Sequence, residues 1–290
     1  MALQSLGPDR RHASATGKPI ALGDPPSDVG PGLLERRLHA WYARWLRPLL
    51  PRDIDQQRLK LVYFGWGYWP LLKLATLPLW GRVTLLVQFL RVDWHVLHAH
   101  RPNEIASVCQ ALAARRAQPG EVMVEAGCWN GGSSAKFSLI CKLGGYRLHI
   151  YDSFEGVEPL GSEEKRQGHD FSGAYAAPEA VLHDTLRRFG DPSVCTVHTG
   201  WFRTTLARHP VPDPVRLAFM DCDSAKGTEE VLSGVAPRLT ADGVVFSQDY
   251  HIASVRQVLC DPRTWRRLGM REPTITRLGG HLASLRTASA

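Results

Sequence analysis

From residue 121 onward, short apolar runs alternate with helix-length amphipathic stretches, and this alternation restricts the possible folds more than any other feature of the sequence. Apolar runs without polar interruption suit strands covered on both faces. Helix-length connections between them suit parallel pairing, because a tight hairpin joins only antiparallel neighbours. The pattern predicts strands over 122–125, 148–151, 194–198, 217–220 and 244–247, with helices over 133–142, 178–189 and 228–239. A helix over 102–115 should precede them, since Pro102 and Glu104 are both first-turn signals. Near the C-terminus the rhythm changes: 274–278 and 281–286 flank Gly279-Gly280, which marks an antiparallel hairpin. The expected fold is therefore α/β, a mostly parallel sheet that ends antiparallel, with no linker dividing 101–290.

Upstream of this unit the chain has a different character. Residues 1–32 hold ten Gly or Pro and no apolar stretch of the kind that forms a secretory signal, so they read as a disordered tail. Residues 33–100 read as an apolar helical or lid region. Between Leu61 and Leu90, Lys73 and Arg82 leave uncharged runs of only twelve, eight and eight residues. A membrane span needs roughly 20, so stable membrane insertion is not expected. Trp66, Tyr68, Trp69 and Trp80 in this region present apolar surface suited to an acceptor lid or a contact between copies, and a homo-oligomer is expected.

Charge gives no case for nucleic acid. Of the net +7, the first 60 residues carry +4, from ten Lys/Arg against six Asp/Glu, and the remaining 230 residues only +3. The six cysteines never form a CxxC pair and fall mostly in apolar stretches, which argues against zinc or a disulfide framework and suits a cytoplasmic setting.

Open α/β sheets bind ligands beyond the carboxyl ends of their strands. After the first strand comes EAGCWNGGS (125–133), a glycine-rich turn feeding a helix, where Glu125, Gly127, Cys128 and Ser133 can meet a ligand. After the second come Asp152 and Ser153; a carboxylate there can accept both hydroxyls of a ribose. Together these point to a nucleoside cofactor. A dinucleotide is disfavoured, because the turn lacks G-x-G-x-x-G and Glu125 would crowd a pyrophosphate, whereas a cationic methionine moiety would favour that charge. After the third strand Gly200, Trp201 and Phe202 offer aromatic surface for an adenine. Asp221 and Asp223 after the fourth, with Gln248 and Asp249 after the fifth, can supply oxygen ligands to a hard divalent cation.

The segments VEAGCWNGGSS, YDSFEG, GWFRTTL, MDCDSAKGT and SQDYH, in this order and spacing, resemble the macrocin O-methyltransferase family of class I S-adenosylmethionine-dependent methyltransferases over about residues 100–286. The resemblance implies a Rossmann-like seven-stranded sheet with a reversed C-terminal hairpin, and methyl transfer from S-adenosylmethionine to a hydroxyl of a small acceptor, a sugar or a glycosylated, polyketide-like natural product. It implies that Glu125 and Gly127 flank the methionine portion, Asp152 and Ser153 the ribose, and Gly200 to Phe202 the adenine. It also implies magnesium held by three carboxylates, at the positions that Asp221, Gln248 and Asp249 occupy here. The relatives carry two aspartates before the tyrosine of SQDYH, and this chain replaces one with Gln248, which weakens the expected site. Lys226 is a candidate to occupy the vacated charge. For the acceptor proton, the resemblance points to His169 as base with Asp221 beside it, and His251 is the competitor. His95, His98 and His100 match no metal spacing and read as bland. Two further readings stand beside this one: an NAD(P)-dependent oxidoreductase on a Rossmann sheet, and a noncatalytic S-adenosylmethionine-binding homologue.

Overall fold

The computed structural model describes residues 65–161, 165 and 170–287, together with Arg44. Its centre is a seven-stranded sheet in the order β3-β2-β1-β4-β5-β7-β6. Strands β1 (Val122–Ala126), β2 (Arg147–Asp152), β3 (Cys195–Thr199), β4 (Val215–Met220) and β5 (Leu239–Ser247) run parallel. Strands β6 (Thr274–Gly279) and β7 (Leu282–Arg286) form the reversed hairpin, with β7 inserted antiparallel beside β5. The alternation of apolar runs thus produced the expected architecture.

Helices cover both faces. Helix α1 is Leu79–His95, α2 Pro102–Leu112, α3 Gly132–Gly144, α4 Glu179–Phe189, α5 Phe202–Arg208, α6 Ala225–Val235, α7 Ala253–Cys260 and α8 Pro262–Arg267. A 3-10 helix over Gly65–Lys73 precedes them. The expected helix over 228–239 begins earlier, because Ser224 caps it through the Gly227 amide, and it gives way after Val235 to a 3-10 turn containing Pro237. β5 is longer than expected because Leu239 to Asp242, half-buried or exposed, continue the extended chain ahead of the apolar run.

One face of the sheet packs Met123, Leu148, Ile150, Leu217, Phe219, Val244 and Phe246 against the N-terminal elements, whose Tyr68, Leu71, Leu85 and Phe89 are buried in the same core. The other face packs Val124, Tyr151, Ala218, Met220 and Val245 against α6, α7 and Trp265. Alternate residues of each strand face opposite sides, so a strand buried on both faces reads as an unbroken apolar run. Tyr68 is therefore a core residue, whereas Trp80 on α1 is 80 % exposed.

Candidate active site

The carboxyl ends of β1, β2, β4 and β5 bring the predicted residues to one end of the sheet. Gly127 leaves β1 with φ 86°, and its amide donates to the Tyr151 carbonyl of β2. A Cβ at this position would lie 1.9 Å from the Asp221 carbonyl oxygen. The glycine is thus needed for the close approach of two strand ends, which also joins the turn to the acidic cluster. Sequence reasoning assigned the same glycine to ligand approach; the contact it makes room for is Asp221.

Glu125 is fully buried at the end of β1, and neither carboxylate oxygen has a well-formed hydrogen bond among the described residues. Burial raises its pKa to about 8, and the adjacent Ser133 and Ser134 hydroxyls oppose the rise only in part. Both hydroxyls are themselves buried without a well-formed partner. A buried carboxylate with two loosely placed hydroxyls beside it at the start of α3 makes a polar recess whose hydrogen-bonding capacity the described residues leave largely unused.

Asp152 ends β2 and is tied to that turn. Its Oδ2 accepts from the amides of Cys128 (2.6 Å) and Trp129 (3.2 Å), and its Oδ1 from that of Phe154 (2.7 Å). A carboxylate accepts about four hydrogen bonds, so capacity remains for a ligand hydroxyl. Ser153 is engaged locally: its hydroxyl donates to the Gly156 carbonyl and accepts from the Glu155 amide, both at 3.1 Å. Gly200 donates to the Asp152 carbonyl at 2.9 Å, which sets Trp201 and the start of α5 beside the end of β2.

Asp221, Asp223 and Asp249 form the acidic cluster, each offering an oxygen within 4.8 Å of the others. Asp249 Oδ2 accepts from the Cys222 and Asp223 amides at 2.7 and 2.9 Å. All three pKa values are raised, Asp221 to about 7, with burial the largest cause and mutual repulsion adding to it for Asp223 and Asp249. Such a cluster suits a hard cation, which would relieve both penalties. Gln248 lies next to it with its Nε2 donating to Glu104 at 3.0 Å and its Oε1 buried without a partner among the described residues. Glu104 also accepts from the Arg101 and His281 amides. An aspartate at 248 would face the buried Glu104 carboxylate with like charge; glutamine turns that contact into a hydrogen bond.

Two expectations change. Lys226 does not occupy the cluster: its ammonium pairs with Glu158 at 2.5 Å and is half exposed. His98 and His100 are not bland. His100 Nε2 meets Asp221 Oδ2 at 2.8 Å, and His98 joins Asp93 at 2.6 Å beside the fully buried Lys136. The available signals were the HAH spacing ahead of Pro102 and a lysine among small and apolar residues of α3. His251 stacks on His281, with ring centroids 3.8 Å apart. His169 lies outside the described residues.

With the glycine turn set beside an acidic cluster at the strand ends, residues 96–276 fit the family model of the macrocin O-methyltransferases. The chain belongs to that family. Among curated relatives, the methyltransferase is 32% identical over 197 residues to the 8-demethyl-8-(2,3-dimethoxy-alpha-L-rhamnosyl)-tetracenomycin-C 4'-O-methyltransferase of Streptomyces olivaceus, covering 62% of this chain and 73% of that one. It is 28% identical to the mycinamicin III 3''-O-methyltransferase of Micromonospora griseorubida, covering 53% and 65%. Among solved structures, the O-methyltransferase NovP shares the fold with a TM-score of 0.55 at 19% identity, over 66% of this chain and 84% of that one. A calicheamicin methyltransferase does so at 0.50 and 20%, over 82% and 95%. The methyltransferase is thus an enzyme of the S-adenosylmethionine-dependent O-methyltransferase class; nothing supports the oxidoreductase reading, and the noncatalytic reading loses its support from Lys226. Among the described residues, no helix is long and apolar enough to cross a membrane.

Proposed function

We propose that the methyltransferase acts on a hydroxyl of a sugar, or of a glycosylated, polyketide-like natural product, using the strand ends described above. The observation that carries this reading is the juxtaposition of two incomplete polar sites: the under-satisfied Glu125–Ser133–Ser134 recess, and a three-carboxylate cluster tied to the same strand end by the Asp221 amide, which donates to the Ala126 carbonyl. The recess fits the cationic methionine portion of S-adenosylmethionine, with Asp152 at the ribose, Cys128 and Ser153 lining the turns, and Gly200, Trp201 and Phe202 on the adenine side. The nucleoside supplies an electrophilic methyl group when bound.

Asp221 and Asp249, with the Gln248 carbonyl and Asp223, fit magnesium, which prefers oxygen ligands and when bound would lower the pKa of a coordinated acceptor hydroxyl. The residues of the chain do the rest. The fold holds the acceptor oxygen in line with the methyl group, where positioning supplies much of the acceleration. His169 takes the hydroxyl proton. The names of the rhamnosyl-tetracenomycin and mycinamicin relatives support a sugar-bearing acceptor. A cytoplasmic setting fits the free thiols, five of the six at least partly buried.

The test is to incubate full-length protein and labelled S-adenosylmethionine with extracts of its producer, with and without EDTA. Label should enter a sugar-bearing metabolite and vanish with EDTA, returning on added magnesium. Full activity after metal removal would refute the magnesium part; label on a nitrogen or carbon atom would refute the hydroxyl acceptor.

We further propose a homo-oligomer built on α1. Its Trp80, Val83 and Val87 recur at helical spacing on the side away from Leu85, Phe89 and Val92, and Trp80 and Val87 are each about half or more exposed. A second copy packed antiparallel, with Val87 on the two-fold axis, would cover this stripe with itself, the self-complementary pattern an isologous dimer needs.

A further inference from the structure

We propose that His100 is a positioning residue for Asp221, and that a buried network reaching Tyr68 holds its ring in place. The proposal rests on the reading of the acidic cluster as a magnesium site and deepens it. His100 Nε2 lies 2.8 Å from Asp221 Oδ2, and its ring is enclosed by the Phe219 ring edge at 5.4 Å and by His98 stacked at 6.2 Å. When Asp221 is ionised it accepts, which puts the hydrogen on Nε2 and leaves Nδ1 buried without a hydrogen-bond partner among the described residues. One carboxylate oxygen is thereby fixed. The other is left for the cluster, which is how an outer hydrogen bond orients a metal-binding carboxylate.

His100 sits on the extended segment between α1 and α2, and that segment is clamped rather than free. His98 Nε2 meets Asp93 Oδ1 at 2.6 Å, the Tyr68 hydroxyl donates to Asp93 Oδ2 at 2.8 Å, and the Lys136 ammonium pairs with the same Asp93. Lys136 belongs to α3, the helix that starts at the glycine turn. Gly132 in its first turn makes room for His98, since a Cβ there would lie 2.8 Å from His98 Cβ. A buried ion pair is a weak source of net stability, because well-packed apolar residues often serve as well. Here three donors from three elements converge on one carboxylate, and what they supply is the direction of the His98–His100 segment. The N-terminal elements thus complete the site from outside the sheet.

The test uses full-length His100→Ala, His100→Phe and His100→Gln, with Mn2+ as the probe of the magnesium site. Mn2+ affinity is read by electron paramagnetic resonance in the presence of S-adenosylmethionine, S-adenosylmethionine affinity by calorimetry, and folding by thermal melting. Alanine and phenylalanine should weaken Mn2+ binding by about 10- to 100-fold and leave S-adenosylmethionine affinity within twofold. Glutamine, whose amide can donate from near the Nε2 position, should recover part of the loss. Mn2+ binding unchanged in both Ala and Phe variants would overturn the proposal, as would equal losses of S-adenosylmethionine and Mn2+ affinity, which would mark a merely structural role. A wild-type protein that binds no Mn2+ would overturn the magnesium reading and this proposal together; wild-type binding matched by His100→Ala would overturn this proposal alone.

Discussion

Glu125 carries both carboxylate oxygens into a recess where burial holds its proton up to a pH of about 8. A carboxyl must lose that proton before it can pair with the ammonium of a methionine moiety. Affinity for S-adenosylmethionine should therefore rise with pH, by up to about tenfold per unit between pH 6 and 8, and level off above. Calorimetry in buffers of different ionisation enthalpy should register proton release near pH 7; a flat profile would place Glu125 away from the cofactor. The same shift bears on stability. A raised carboxylate binds more protons folded than unfolded, so this group's contribution to the stability of the unliganded protein is full below about pH 4.5 and is lost as pH rises through about 8. At Asp152, Asn keeps one acceptor oxygen, which can serve the Cys128 and Trp129 amides, while its NH2 faces the Phe154 amide and the charge is removed. Asp152→Asn should melt somewhat below wild type and bind S-adenosylmethionine roughly 10- to 100-fold more weakly, the loss of a charged hydrogen bond of ~1.5 to 3 kcal/mol. Unchanged affinity would remove Asp152 from the pocket.

Between elements, the decisive contact is α1 on α3 through Asp93 and Lys136. Burial alone would raise the Asp93 pKa, and Lys136 and His98 reverse that, holding it down at about 2. Removing one partner strands the other charge in the core. Asp93→Leu should cost about 3 to 5 kcal/mol in urea unfolding, and Asp93→Leu with Lys136→Met should regain part of it, since the Lys136 ammonium is then no longer buried without its carboxylate. A double variant no more stable than the single one would mean that the pair is not what joins the helices.

For the whole molecule, the exposed stripe of α1 predicts assembly. Light scattering should find a dimer or a multiple of one at micromolar protein. Val87→Asp would put like charges together on the two-fold axis and should yield monomers, with S-adenosylmethionine affinity unchanged because α1's outer face lies opposite the residues that pack on the core. A dimer that survives Val87→Asp would locate the interface elsewhere.

The sequence alone determined the sheet and its reversal, because strands buried on both faces must be apolar throughout and a Gly-Gly pair between two short strands leaves little but a hairpin. It also pointed to the loops after the strands as the place for chemistry, since open α/β sheets bind ligands beyond the carboxyl ends of their strands. Tertiary structure decided the partners. Nothing in the order of residues shows that Gly127 yields to the Asp221 carbonyl, that Lys226 turns to Glu158, or that Gln248 donates to Glu104 across 144 positions. His98 and His100 read as bland because their partners, Asp93 on α1, Lys136 on α3 and Asp221 after β4, meet only once the N-terminal helices close over the sheet. Periodicity is a local property that a chain carries openly; the pairing of buried charges depends on which elements pack together, and only folding makes that choice.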